Sequence, residues 1–451
     1  MVLAVALVLL VVGSVLFHYL SPWYFTPIAS NWGTIDDTVT LTFWVTGFVF
    51  VAVNLFLAYC VMRYRHGKVI RAHYEPENKK LEGWLIGLTT VGVVAMLAPG
   101  LVAWAKFVEV PKDAAVFEVV GRQWYFNYRF PGADGVLGTV DARFVSDTNP
   151  FGINPDDPHG RDDVLIASPE LHLPLGKPVK ADLRSIDVLH DFTVPQFRAK
   201  MNMVPGLVTY VWFAPTRTGT FDVFCEQLCG IAHYSMRGKV IVEEESAFRA
   251  WLSGFPTFAQ TSAQVAGDAA AGEPLYAVCA ACHGMQAEGN PALNAPKLSG
   301  QGDWYLKRQL QHFRSGARGT HEKDVFGKMM APMAATLVDD AAINNVVAYI
   351  KTLPDNPAAA TVKGIAKNGH DPFVNCAACH GADGQGNQAT NAPRLKGMSD
   401  WYLVTQLNNF KQGIRGAHKK DIYGPQMALI AAMLNDDQTT ADIVAYINTF
   451  K

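Results

Sequence analysis

Cysteine and histidine come together at three places in this chain. CAACH occupies 279–283 and recurs at 376–380. C-x-x-C-H is the attachment pattern of a covalent c-type haem, in which two thiols add to the vinyl groups and the adjacent histidine meets the iron. Cys279, Cys282 and His283 are assigned to one haem, and Cys376, Cys379 and His380 to a second. The third grouping is CEQLCGIAHYSM at 225–236, with His190 upstream in DVLHDFTVP. The thiolates of Cys225 and Cys229, the imidazoles of His190 and His233 and the thioether of Met236 are soft-to-borderline donors of the kind copper electron-transfer sites use. Zinc is the competing reading of Cys-x3-Cys with histidine. It has no use for the methionine and no redox role beside two haems. Three redox centres in one chain imply one-electron transfer.

Composition bounds what surrounds these centres. The 451 residues allow roughly three domains at ~150 residues each. Charged residues are 17%, below the ~25% of soluble proteins, which points to a membrane anchor. The net charge of −2 gives no sign of a nucleic-acid partner. Of seven cysteines only Cys60 falls outside the three motifs. It lies in an apolar run, where a small thiol packs as a hydrophobe, and no cysteine remains for a disulfide.

Three apolar stretches, about 1–20, 41–62 and 84–106, approach the ~20 residues a bilayer crossing needs. The first lacks a basic leader and an evident small-residue cleavage site, so a retained helix is expected rather than a signal peptide. The loop 63–83 carries Arg63, Arg65, Lys68, Arg71, Lys79 and Lys80, while 21–40 has no Lys or Arg, only Asp36 and Asp37. The positive-inside rule places 63–83 in the cytoplasm and everything after about 107 outside. Pro99-Gly100 interrupts the third stretch, a break that membrane helices tolerate.

From 114 to about 245 the chain is rich in β-branched and aromatic runs separated by Gly, Pro and Asp turns: AVFEVVGRQWYFNYRF, PVKADLRSIDVLHDFTV, LVTYVWFA and GTFDVFC. A Greek-key barrel or sandwich is expected. Here RQWYFNY, SIDVLH and CEQLCGIAHYSM together resemble subunit II of the haem-copper oxidases. The resemblance implies a cupredoxin-like domain holding the dinuclear copper centre CuA. Cys225 and Cys229 would bridge the coppers, with His190 and His233 one on each. Met236 and the main-chain carbonyl of Gln227 would be the weak ligands. Trp124 matches the family tryptophan through which electrons enter; a packing role is the alternative. RAHYEPENKKLEGW resembles the stretch before the family's second membrane helix, and Glu82 falls where the family places a carboxylate at the mouth of a proton path. An interfacial charge is the alternative there. Two departures stand out. The family's glutamate at 227, which helps hold magnesium at the subunit I interface, is glutamine here with Glu226 beside it. The helix at 1–20 adds to the family's two.

The second half repeats itself. From 279 to 376 is an offset of 97, and it holds without a gap. It pairs Pro296 with Pro393, Trp304 with Trp401, Tyr305 with Tyr402, Arg318 with Arg415 and Tyr349 with Tyr446. Helical patterning predicts two small all-α domains, and the region resembles periplasmic di-haem class I cytochromes over about 262–451. That resemblance implies that the carbonyls of Pro296 and Pro393 orient the proximal histidines. The offset maps Met329, Met330 and Met333 onto Gln426, Met427 and Ile430. Met330 and Met427 alone persist as candidate distal ligands, expected from the loop before the last helix; His321 and His418 compete. Adjacency in sequence points to the 279–283 haem as the one nearer copper. The acidic loop 146–163 is expected to be a solvated connection.

The expected architecture is a multidomain membrane protein: transmembrane helices within 1–110, a cupredoxin-like domain at 111–254 and cytochrome c domains at 262–354 and 359–451. The resemblance implies subunit II of a terminal oxidase in the bacterial plasma membrane, with copper and haem domains on the periplasmic face. Its partners would be subunit I, subunit III, a periplasmic donor such as cytochrome c, and lipid. The three apolar segments contain a single histidine, His18, so the oxygen site lies on another chain. A CuA-type nitric oxide reductase subunit and a membrane-anchored electron carrier are the other readings.

Overall fold

The computed structural model describes residues 2–21, 26–64, 76–146, 149–166, 168–262, 267–434 and 436–450. Arg65, Lys68 and Arg71 of the basic loop lie outside the described residues, as does the start of RAHYEPENKKLEGW.

Three apolar helices come first: α1 Val2–Leu20, α2 Gly33–Arg63 and α3 Lys79–Val108. Each is long and apolar enough to cross a membrane. α2 and α3, of 31 and 30 residues, exceed the apolar windows, because polar first turns continue the helix past the ~20 residues a bilayer requires. Pro99 sits inside α3 without ending it. α1 packs on α2, and α2 on α3.

Ten strands follow: β1 Ala115–Arg122, β2 Tyr125–Phe130, β3 Val164–Ile166, β4 Glu170–Pro174, β5 Val179–Ser185, β6 His190–Val194, β7 Ala199–Met203, β8 Thr209–Phe213, β9 Gly219–Phe224 and β10 Arg237–Glu243. They form two five-stranded sheets, ordered β3-β2-β1-β5-β8 and β4-β10-β9-β6-β7. The alternating residues of both sheets close a core that includes Phe117, Tyr128, Leu173, Phe192, Phe213 and Val223. The sandwich stands directly on the ends of α2 and α3. Trp32 Nε1 donates to the Trp212 carbonyl (2.9 Å), Trp212 Nε1 to that of Lys106 (3.2 Å), and the Tyr210 hydroxyl to that of Val108 (2.9 Å). Arg198 closes the seam with an ion pair to Asp36 at 2.6 Å.

The connection 149–163 is packed, contrary to expectation. Phe151 and Ile153 are buried with Val120, Leu165 and Phe258. Arg122 and Arg184 donate to the carbonyls of Pro150 and Phe151, each at 2.8 Å. Two apolar side chains outweigh the loop's acidic composition.

The remaining helices are α4 Glu245–Leu252, α5 Phe258–Ser262, α6 Ala269–His283, α7 Asp303–Arg314, α8 Val325–Ala335, α9 Asp340–Thr352, α10 Ala366–His380, α11 Asp400–Lys411, α12 Gly424–Ala432 and α13 Asp437–Ile447. α6 crosses α9, and α10 crosses α13 in the same way. The crossing needs glycine: a Cβ on Gly272 would stand 2.0 Å from the Asn345 carbonyl oxygen, and one on Gly369 2.0 Å from that of Asp442. The repeats pair reciprocally. Arg318 donates to Tyr402 (2.6 Å) and Gln406 (3.0 Å), and Arg415 to Tyr305 (2.8 Å) and Gln309 (2.9 Å).

One buried ionic network braces the sandwich. Arg129 bonds Glu118 at 2.7 Å and Asp163 at 2.6 Å, all nearly inaccessible, and Arg184 bonds Glu118 at 2.5 Å. Removing one partner strands buried charge. Arg129→Met is expected to destabilise the domain by about 3–5 kcal/mol, read from the denaturant midpoint of the protein's β-domain transition. An unchanged midpoint would show the network to be dispensable.

Candidate redox centres

Strand order builds the first centre. β9 lies between β10 and β6, so the loop 225–236 that joins β9 to β10 lies beside the start of β6, where His190 stands. The Cys225 and Cys229 sulfurs are 3.8 Å apart, well beyond the ~2.05 Å of a disulfide. His190 Nδ1 is 4.0 Å from Cys225 Sγ and His233 Nδ1 is 3.5 Å from Cys229 Sγ. Met236 Sδ is 4.0 Å from Cys229 Sγ, and the Gln227 carbonyl oxygen is 3.3 Å from Cys225 Sγ. The cysteines, His190 and Met236 are buried. Without a metal the two thiols cannot both ionise. Hydrogen bonds from Cys229 and His190 hold the Cys225 thiol far down, while the Cys225 thiolate pushes Cys229 far up. A buried thiol pair of this kind, ringed by imidazole and thioether, fits copper, which would take both sulfurs as thiolates.

The shell around these donors is ordered. His190 Nε2 meets Asp187 Oδ1 at 2.7 Å, so Nε2 carries the proton and Nδ1 presents its lone pair toward Cys225. The backbone N–H of Gln123 donates to Asp187 Oδ2 (2.7 Å), and its side chain donates to the Cys229 carbonyl (2.7 Å). Trp124, 2% exposed, donates its indole N–H to that same carbonyl at 3.0 Å. Gly230 permits this closeness: a Cβ there would lie 2.9 Å from both the Gln123 amide and the Trp124 ring. Asp187 and Gln123 escaped sequence reasoning. Their only signal was position, three residues before His190 and one before Trp124.

Glu226 is paired with Lys200 at 2.6 Å, and the Gln227 amide bonds Asn202 at 3.0 Å. Among the described residues the grouped metal donors are His190, Cys225 and Cys229, and no second acidic cluster accompanies them. Glu82 stands exposed in the first turn of α3, at the end away from the sandwich, and is not brought to this centre.

The repeats build matching pockets. His283 Nδ1 donates to the Pro296 carbonyl and His380 Nδ1 to the Pro393 carbonyl, each at 2.7 Å. Burial pushes both imidazoles below the usual range, so they are neutral and their Nε2 atoms are available as ligands. Both C-x-x-C-H motifs, Met330 and Met427 line one continuous cavity of about 620 Å³. Arg415 lines it too, and its buried Nε has no partner among the described residues. A haem, apolar with acidic edge groups, fits such a space. Met330 and Met427 come from the helices α8 and α12, not from a loop as expected. A proline in each sequence does not prevent the turn from forming. His321 and His418 are exposed, their Nδ1 atoms accepting the backbone N–H of Lys323 and Lys420.

The second repeat, not the first, meets the sandwich. Gln426 Nε2 donates to the Trp124 carbonyl (2.9 Å), Asn391 Nδ2 to the Tyr125 hydroxyl (2.9 Å), and Tyr423 stands edge to face with Tyr125 at 5.4 Å. Cys379 packs against the sandwich core. Sequence adjacency pointed to the other repeat. The reciprocal arginine pairing folds the second copy back across the first.

Comparisons with known proteins agree with this geometry. The family description "cytochrome c oxidase subunit II, periplasmic domain" matches residues 115–244, and "cytochrome c" matches 269–354 and 366–451. An alternative cytochrome c oxidase subunit 2 of Bradyrhizobium diazoefficiens is 63% identical over 262 residues, which is 58% of this chain and 95% of that protein. This chain belongs to the cytochrome c oxidase subunit II family. A subunit 2 of Cereibacter sphaeroides is 29% identical over 48% of this chain and 77% of its own length. Cytochrome c4 of Stutzerimonas stutzeri is 35% identical over 34% of this chain and 77% of that protein. The oxidase subunit thus carries two cytochrome c domains in addition to its copper domain.

Asp187 fixes the tautomer of a candidate copper ligand. Asp187→Ala is expected to weaken copper binding by about 10–100-fold, measured by chelator competition, with haem content unchanged. Wild-type affinity would remove Asp187 from the site's support.

Proposed function

We propose that this chain is the electron-input subunit of a c-haem-fused terminal oxidase, passing electrons from an external donor through two c haems and CuA to an oxygen-reducing subunit I. The observation that carries this reading is the buried pair of cysteines ringed by His190, His233 and Met236, joined through Trp124 to a haem domain. Cys225 and Cys229 would bridge two coppers, with His190 and His233 one on each, and Met236 and the Gln227 carbonyl as weak ligands. That cluster supplies a one-electron relay that changes charge with little movement.

The chain's own residues set the conditions. Asp187 holds the His190 ring in place. Gln123 and Trp124 pin the Cys229 carbonyl. Pro296 and Pro393 hold the proximal imidazoles, leaving Met330 and Met427 for the distal faces. Histidine–methionine ligation raises haem potential, which suits delivery toward oxygen. No general acid or base is needed on this chain.

The helices anchor the sandwich and haem repeats on the periplasmic side of a bacterial membrane, with subunit I, subunit III and lipid around α1–α3. Glu82, at the opposite end of α3, faces the side from which a proton-translocating partner draws protons. The donor is a small periplasmic redox protein such as cytochrome c.

The test is purification of the native complex. Expected are two covalent haems per chain, copper, and oxygen consumption by a co-purifying polytopic haem protein. Nitric oxide reduction without oxygen consumption would transfer the chain to the reductase reading, and a chain with no membrane partner would make it a carrier. Met427→Ala is expected to change the ligation spectrum of one haem only; an unaltered spectrum would return His418 to consideration.

A further inference from the structure

The two haem repeats differ where the second meets the copper domain. The offset that pairs their framework residues sets Phe326 against Tyr423 and Met329 against Gln426. In the first repeat Phe326 and Met329 are exposed, at 45% and 61%. In the second, Tyr423 packs edge to face on Tyr125 and Gln426 donates to the Trp124 carbonyl. The repeat has been altered at the positions that touch the sandwich.

From Gln426 the route to the copper donors is short. Trp124 receives a hydrogen bond at its carbonyl from Gln426 (2.9 Å) and gives one from its indole to the Cys229 carbonyl (3.0 Å). Cys229 carries a candidate bridging sulfur. On the other side Gln426 adjoins Met427, which lines the haem cavity. Two hydrogen bonds and one indole therefore separate a candidate haem ligand from a candidate copper ligand. None of the hydrogen bonds from the first repeat described above reaches the sandwich; its Arg308 ends on Asn391 of the second repeat at 2.5 Å.

We propose that Gln426 is a positioning residue for electron transfer, holding Trp124 between the second haem and the copper pair. The haem at 376–380 is then the immediate reductant of copper, and the haem at 279–283 takes electrons from the external donor. This rests on the oxidase reading above. In the step itself the second haem is oxidised from ferrous to ferric, and the oxidised copper pair gains that one electron. No bond forms or breaks and no proton moves.

The test uses the full chain loaded with haem and copper. A single electron is injected photochemically and copper reduction is followed in the near-infrared. Gln426→Glu keeps the shape and removes the donor; Gln426→Met installs the first repeat's residue. Both are expected to slow copper reduction several-fold, with both haem spectra, both haem potentials and the copper band unchanged. In the copper-free protein, both are expected to raise hydrogen exchange in the segment 123–126. Rates and exchange equal to wild type in both variants would overturn the role of Gln426. Met330→His marks the first haem spectroscopically; the unmarked second-haem bands are then expected to decay in step with copper reduction. Decay of the marked bands in that step would overturn the order. A protein that binds two haems but no copper would instead contradict the underlying oxidase reading.

Discussion

The structure turns on two sulfurs held 3.8 Å apart in a buried loop. At that spacing and burial the second thiol resists ionisation once the first is charged. A disulfide would settle the conflict by closing the distance, and the fold does not allow it to close. Cations between the sulfurs settle it by neutralising both. The sandwich supplies the rigidity this needs: a central strand, β9, flanked by the strands that begin with His190 and follow Met236. Gln123, Trp124 and Asp187 then fix the loop from above through the Cys229 carbonyl and the His190 ring.

That loop is also where the rest of the molecule converges. Membrane helices grip one edge of the sandwich through Trp32, Trp212 and the Arg198–Asp36 pair. The haem repeats hold each other by exchanged arginines, and the pairing presents the second repeat's Gln426 and Tyr423 to Trp124 and Tyr125. The three redox centres are thus carried on a connected scaffold rather than on free tethers. The proline carbonyls that receive His283 and His380 repeat the device used at Asp187: a second nitrogen is bonded so that the first can serve a metal.

Much of this was readable in the sequence because the donors are local. Cys225, Gln227, Cys229, His233 and Met236 share one loop, and each haem motif spans five residues. The gapless repeat made the cytochrome domains and their candidate distal methionines visible. What escaped depends on contacts between distant segments. Gln426 lies some three hundred residues from Trp124, and nothing local marks it. The order of the repeats against copper reversed because packing, not chain adjacency, decides neighbours. The loop 149–163 looked solvated by composition, yet Phe151 and Ile153 are buried. Apolar windows undershot α2 and α3 because polar turns extend a helix beyond the membrane core.

The central claim is that Cys225 and Cys229 share two copper ions. The most direct measurement is the electron paramagnetic resonance spectrum of the oxidised, intact protein. The account predicts hyperfine splitting from one unpaired electron shared equally by two copper nuclei, lost in Cys229→Ser. Splitting from a single copper nucleus, or a zinc-filled site with no copper signal, would contradict it.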